Sequence, residues 1–143
     1  MHLDSQLQFS DAQALTATAV STNVIDLGVD RDIGIGEAMA VVISVGVAAD
    51  YTTTDETYQF TVQTDDNDSF SSATVVVASA TINGDELTAG AKVVLPIGYS
   101  NERYLRINNT LAGTTPSVTI DAFLSPLDMV DGYTNYADGY AIT

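Results

Sequence analysis

Thr57-Tyr58-Gln59-Phe60-Thr61-Val62-Gln63 alternates between hydroxyl or amide side chains and large apolar ones. A period of two puts Tyr58, Phe60 and Val62 on one face and Thr57, Gln59, Thr61 and Gln63 on the other. That is the signature of a strand with one face in a core and one toward solvent. Val118, Ile120, Ala122 and Leu124 repeat the pattern against Thr119, Asp121 and Phe123. Residues 38–47 and 73–79 are more continuously β-branched, as central strands are. Further strands are expected at 16–20, 23–27, 92–97 and 103–109.

Turn chemistry separates these segments: Asp30-Arg-Asp-Ile-Gly34, Asp65-Asp-Asn-Asp-Ser69, Asn83-Gly-Asp-Glu86, Gly98-Tyr-Ser-Asn101 and Ala112-Gly-Thr-Thr-Pro116. Asn83-Gly84 is a tight-turn signal in its own right. About eight short strands with turns roughly every 8–12 residues predict an all-β chain, a jelly-roll-like antiparallel β-sandwich with extended terminal arms. Residues 1–22 form an amino-terminal segment leading into the sandwich, 23–125 the sandwich, and 126–143 an extended carboxy-terminal arm. The one helix candidate is a turn near 10–15, which Ser10 or Asp11 could cap.

Four basic against 19 acidic residues give a net charge of −15. Such a surface repels phosphate backbones and anionic membranes, so neither nucleic acid nor membrane is an expected partner. The chain has no cysteine, which excludes disulfides, Cys-ligated zinc and thiol catalysis. Met1–Ser10 lacks the basic and apolar regions of a secretory signal, and the apolar run at 38–43 is too short to span a bilayer. A soluble product is expected.

Catalysis is poorly supplied, and no cofactor or metal is expected. His2 is the single histidine and sits at the terminus, far from any evident Ser-His-Asp arrangement. Gly34-Ile-Gly36 lacks the third glycine of a phosphate-binding fingerprint, because Met39 stands there. The acidic stretch Asp65–Ser69 fails the EF-hand pattern at Phe70 and Val76 and reads as a loop whose Asp and Asn satisfy local backbone groups. Paired carboxylates could cleave a glycoside, yet there is no Trp to stack a sugar.

Three of the four cations lie between Lys92 and Arg106, in a stretch that reads as two strands joined by a Gly/Ser/Asn turn. Parity puts Arg103 with Leu105 and Ile107, which implies an ion pair at the core edge. Tyr104, Arg106 and Asn108 share the opposite face. There Arg106 forms either an exposed cross-strand ion pair, worth about 0–1 kcal/mol, or part of an interface. Three tyrosines, Tyr133, Tyr136 and Tyr140, fall in the last eleven residues and suit an arm that orders on a neighbour.

Several fragments, in order, resemble the capsid cement (decoration) proteins of short-tailed bacteriophages with HK97-type heads. They are Leu7-Gln-Phe-Ser-Asp-Ala-Gln-Ala-Leu15 running on to Gly28, Asp32-Ile-Gly-Ile-Gly-Glu37, Gln63–Phe70, Gly90–Pro96 and Arg103–Ile107. The resemblance covers roughly residues 3–125; the Asp-Gly-Tyr tail lies outside it. It implies a structural virion protein on the outer capsid surface, made in the bacterial cytoplasm. Such a protein bridges major capsid protein subunits, forms a homodimer or trimer, and has no catalytic residues. The expected contact set is Leu7, Phe9, Tyr104, Arg106, Asn108, Tyr133, Tyr136 and Tyr140. The alternative is a β-sandwich carbohydrate-binding or adhesion module.

Overall fold

A computed structural model describes residues 4–33 and 36–130. The described chain contains β1 (Gln8–Leu15), β2 (Ala19–Val20), β3 (Ile25–Asp26), β4 (Met39–Val47), β5 (Thr57–Asp65), β6 (Thr74–Ala78), β7 (Ile82–Asn83), β8 (Lys92–Ile97), β9 (Tyr104–Ala112) and β10 (Val118–Pro126). One sheet has the order β1-β10-β4-β8, and the second β2-β9-β5-β6. In the second sheet β3 also pairs with β9 and β7 with β5. Each of these short strands extends an edge, so there are eight strand positions. Apart from the β5-to-β6/β7 step, successive positions lie in opposite sheets. That winding is a jelly roll, the all-β sandwich expected from the alternation.

The inward positions build one core. Tyr58, Phe60 and Val62 from β5 meet Leu105 and Ile107 from β9, and across the gap Val41, Ile43, Val45 and Ile120. Burying each such side chain contributes about 1.5–3 kcal/mol. Tyr58 is fully buried but keeps its hydroxyl paired, 2.9 Å from the Asp50 carbonyl and 3.1 Å from that of Ser117.

The structure corrects the helical reading of residues 10–15, which lie in β1 on the edge of the first sheet. Two register shifts against β10 break its alternation. Within the second shift, between Ser10 and Gln13, Ala12 has φ 46° and its N–H donates to Asp121 Oδ1 at 2.7 Å. Lys92 and Arg106 do not share a sheet either: β8 belongs to the first and β9 to the second. The Gly98–Asn101 turn therefore crosses between layers.

Phe123, on the polar side of its strand by parity, is nonetheless buried. The short helix α1 (Leu127–Val130) covers it, forming a small second cluster with Ala40, Val42 and Val130 on the outside of the first sheet. Asn83-Gly84 makes a 3-10 turn, Gly84–Glu86. A Cβ at Gly84 would stand 2.3 Å from the Asp50 carbonyl oxygen, so only glycine fits this close approach.

Candidate interface on the outer face of the second sheet

β5 and β9 pair antiparallel along their whole length, which sets their outward side chains in rows. Gln63 stands beside Arg106, Thr61 beside Asn108 and Gln59 beside Thr110. β2 extends the Asn108 row with Val20, and β6 adds Ala78 beside Thr61 and Val75 beside Gln63. Val20 and Val75 are exposed at 41% and 56%. None of these outward positions is acidic, in a chain with 19 acids. Depletion of charge, with Tyr, Arg and amides present, distinguishes the centre of a contact surface from ordinary surface.

Two acids pair with Tyr104 in the register: Asp26, which is ion-paired, and Asp65, which is buried. Asp26, beside Tyr104 in the register, takes a two-point contact from Arg103, with Nε 2.7 Å from Oδ1 and Nη2 2.8 Å from Oδ2. Those bonds, together with the Gly28 N–H, hold the Asp26 carboxyl down at about 2. Asp26 in turn raises the Arg103 guanidinium above its ordinary value. The ion pair expected of Arg103 is therefore present.

Asp65 is buried under its own loop. Burial pushes its carboxyl up, but donation from the Ser72 N–H at 2.8 Å and the Asn67 N–H at 3.0 Å more than offsets this, and the net direction is down. The Asp66 carboxyl moves up, through its hydrogen bond to Asp65 and partial desolvation beside it. Here Asp and Asn satisfy local backbone groups, as the sequence suggests.

The same loop folds back over the sheet. Phe70, in a left-handed conformation at φ 50°, brings its ring 4.1 Å from the Arg106 guanidinium. Arg106 Nε also donates to Gln63 Oε1 at 2.8 Å. Arg106 thus makes a cation–π stack and an amide hydrogen bond where a cross-strand ion pair was one expectation. The stack holds the guanidinium flat against the face.

Tyr104, Arg106 and Asn108 of the expected contact set lie together on this face, all half-buried. Leu7, at the end of a 3-10 turn (Ser5–Leu7), is partly buried against the core. Phe9 is fully buried inside it. That removes Phe9 from the surfaces a partner can touch, because its strand turns this position inward. Tyr133, Tyr136 and Tyr140 lie outside the described residues, as do His2 and Gly34. Sequence reasoning left out Gln59, Thr61, Gln63, Val20, Val75 and Phe70. Alternation already put the β5 amides and hydroxyls on an outward face. What was missing was the pairing that lays them beside β9.

Among the described residues no group of three or more Asp, Glu or His side chains is placed to hold a metal unaided, and no helix is long and apolar enough to cross a membrane. No curated protein matches the chain. A family model described as Bbp16 matches residues 9–124, from β1 into β10 and so through nearly the whole sandwich. The match takes in most of the sequence: this chain belongs to the Bbp16 family.

Proposed function

We propose that this protein is a capsid cement protein, which binds the outside of an icosahedral phage head and ties neighbouring major capsid protein subunits together. The observation that carries the reading is the outer face of the second sheet, where the rows from Gln59 to Arg106 hold no acid and Asp26, beside Tyr104, is paired with Arg103, in a chain of net charge −15. A strongly negative exterior keeps free subunits apart and soluble. A flat face of amides, hydroxyls, valines and one clamped arginine gives a contact surface with a single positive charge and no free carboxylate at its centre. The sequence resemblance to cement proteins supplies the partner class, and the rigid two-sheet frame suits a part that resists deformation.

Seven residues along β5 and four strands across give a face of roughly 20 by 15–20 Å, or about 300–400 Å². That is half or less of the roughly 800 Å² per partner in a standard stable interface. One subunit on one site would bind weakly. Repetition over the head lattice, and linkage between copies, supply the rest as avidity.

A cryo-electron-microscopy map of the particle from which the chain comes tests this. Jelly-roll density is expected on the outer head surface, with β5 and β9 turned toward a neighbouring subunit. A head without such density refutes the assignment. Selective retention on a glycan array would favour the carbohydrate-binding alternative instead.

A further inference from the structure

Arg106 stands outward on β9, and its own chain leaves it without a counter-ion. Among the described residues no carboxylate pairs with it, whereas Arg103 holds Asp26 at 2.7 Å. The chain has 19 acids to offer. The loop that reaches over Arg106 runs through Asp65, Asp66 and Asp68, yet what it lays on the guanidinium is the Phe70 ring, 4.1 Å away. Asp65 accepts instead from the Ser72 and Asn67 N–H groups.

A guanidinium carries several N–H donors in a rigid planar fork. Nε gives its own to Gln63 Oε1 at 2.8 Å. The Phe70 ring lies against the plane and leaves its edge free. The remaining donors sit on Nη1 and Nη2. Neither makes a hydrogen bond among the described residues, and neither is buried, so both open to solvent on this face. Parallel N–H groups on one edge match the two oxygens of a carboxylate.

The fork is also fixed in advance. Arg106 is half-buried, held by the ring on its plane and by the amide at Nε. Ordering a long side chain is one of the costs of association, and here folding has already borne it. Its neighbours on the face are Gln63, Tyr104 and Asn108, none of them an anion. A carboxylate arriving from outside meets no rival acid at the fork.

We propose that Arg106 receives a carboxylate, an Asp or Glu side chain, from the shell subunit on which this face docks. The proposal rests on the cement reading above and names the group that the partner brings. Charge complementarity carries it, because Arg106 is the one charge at the centre of the face. When the interface closes and water leaves, a two-point guanidinium–carboxylate contact fixes the register of one protein on the other. Elsewhere the acidic exterior repels an anionic neighbour, so the pair favours this one seating.

The experiment is co-sedimentation with phage heads stripped of this protein, either untreated or with surface carboxylates amidated by a carbodiimide and glycinamide. On untreated heads Arg106→Gln is expected to bind at least roughly tenfold more weakly than wild type, since losing one partner of a desolvated charge pair is costly. Arg106→Lys should fall between them, because an ammonium offers no fork. It shows the same pattern with a smaller gap, and so decides the matter if Arg106→Gln does not fold. Amidation should bring wild type down to the level of Arg106→Gln and leave Arg106→Gln where it was. Equal binding of wild type and Arg106→Gln to untreated heads overturns the proposal. So does a wild-type advantage that persists on amidated heads, or amidation that weakens Arg106→Gln as much as wild type. Each of those leaves the cement reading standing, whereas failure of wild type to pellet with untreated heads sinks both together.

Discussion

The two arginines on either side of Tyr104 show how far parity carries and where it stops. Arg103 was legible: inward parity at the start of a strand implies a core-edge cation, and Asp26 receives it. Its effect has a definite pH window. The folded Asp26 carboxyl sits at about 2, below its ordinary 3.8, so the pair contributes fully above the unfolded value and the contribution fades as pH falls through about 2. Asp26→Asn should therefore melt below wild type by a steady margin from pH 7 to about 5, and the margin should close near pH 2; melting curves across that range check it. Arg106 was legible only as outward-facing. Its partners are an amide one strand away and a ring from a loop, and no spacing rule connects residues 70 and 106. Arg106→Ala should cost about 0.5–1 kcal/mol in urea unfolding through loss of the stack with Phe70. Arg106→Lys should recover only part of it, because an ammonium cannot lie flat on the ring.

Among the elements, long alternating strands were read well and irregular ones were not. β5, β8 and β10 follow from period and composition. β1 was missed because its two register shifts reset the alternation that identifies a strand. β7 has two residues and leaves almost no pattern. Turn residues mark where a strand ends, but they do not say whether the next strand pairs with it or crosses to the other sheet. For that reason β8 and β9 read as neighbours. Tight loops supply a sharper test. Gly84→Ala drives a Cβ into the Asp50 carbonyl and is expected to cost about 1–3 kcal/mol, as overpacking does. Gly90→Ala, with φ 86° and open space around it, meets only backbone strain of about 1 kcal/mol. Thermal melts should therefore rank Gly84→Ala the less stable of the two.

For the whole molecule, charge is distributed unevenly, and that is the basis of the functional reading. Composition alone carried the expectation that nucleic acid and anionic membranes are poor partners. Only the sheet topology revealed that the acids leave the centre of one face clear, since the residues concerned are separated by some forty positions in sequence. Half of that face, Tyr104, Arg106 and Asn108, was identified in advance; the β5 half required the register. The centre of the face must remain free of carboxylates if it is the contact surface, which makes added negative charge the most direct probe. Thr61→Glu with Asn108→Glu adds two exposed carboxylates at the centre while leaving the core untouched. The variant should melt within about 1 kcal/mol of wild type, since like charges placed opposite in a sheet cost only that order. The deciding measurement is co-sedimentation of each protein with phage heads stripped of it. Wild type is expected to pellet with the heads in a fixed ratio, and the doubly charged variant to stay in the supernatant. Equal pelleting of the two, or failure of wild type to pellet at all, would contradict the account.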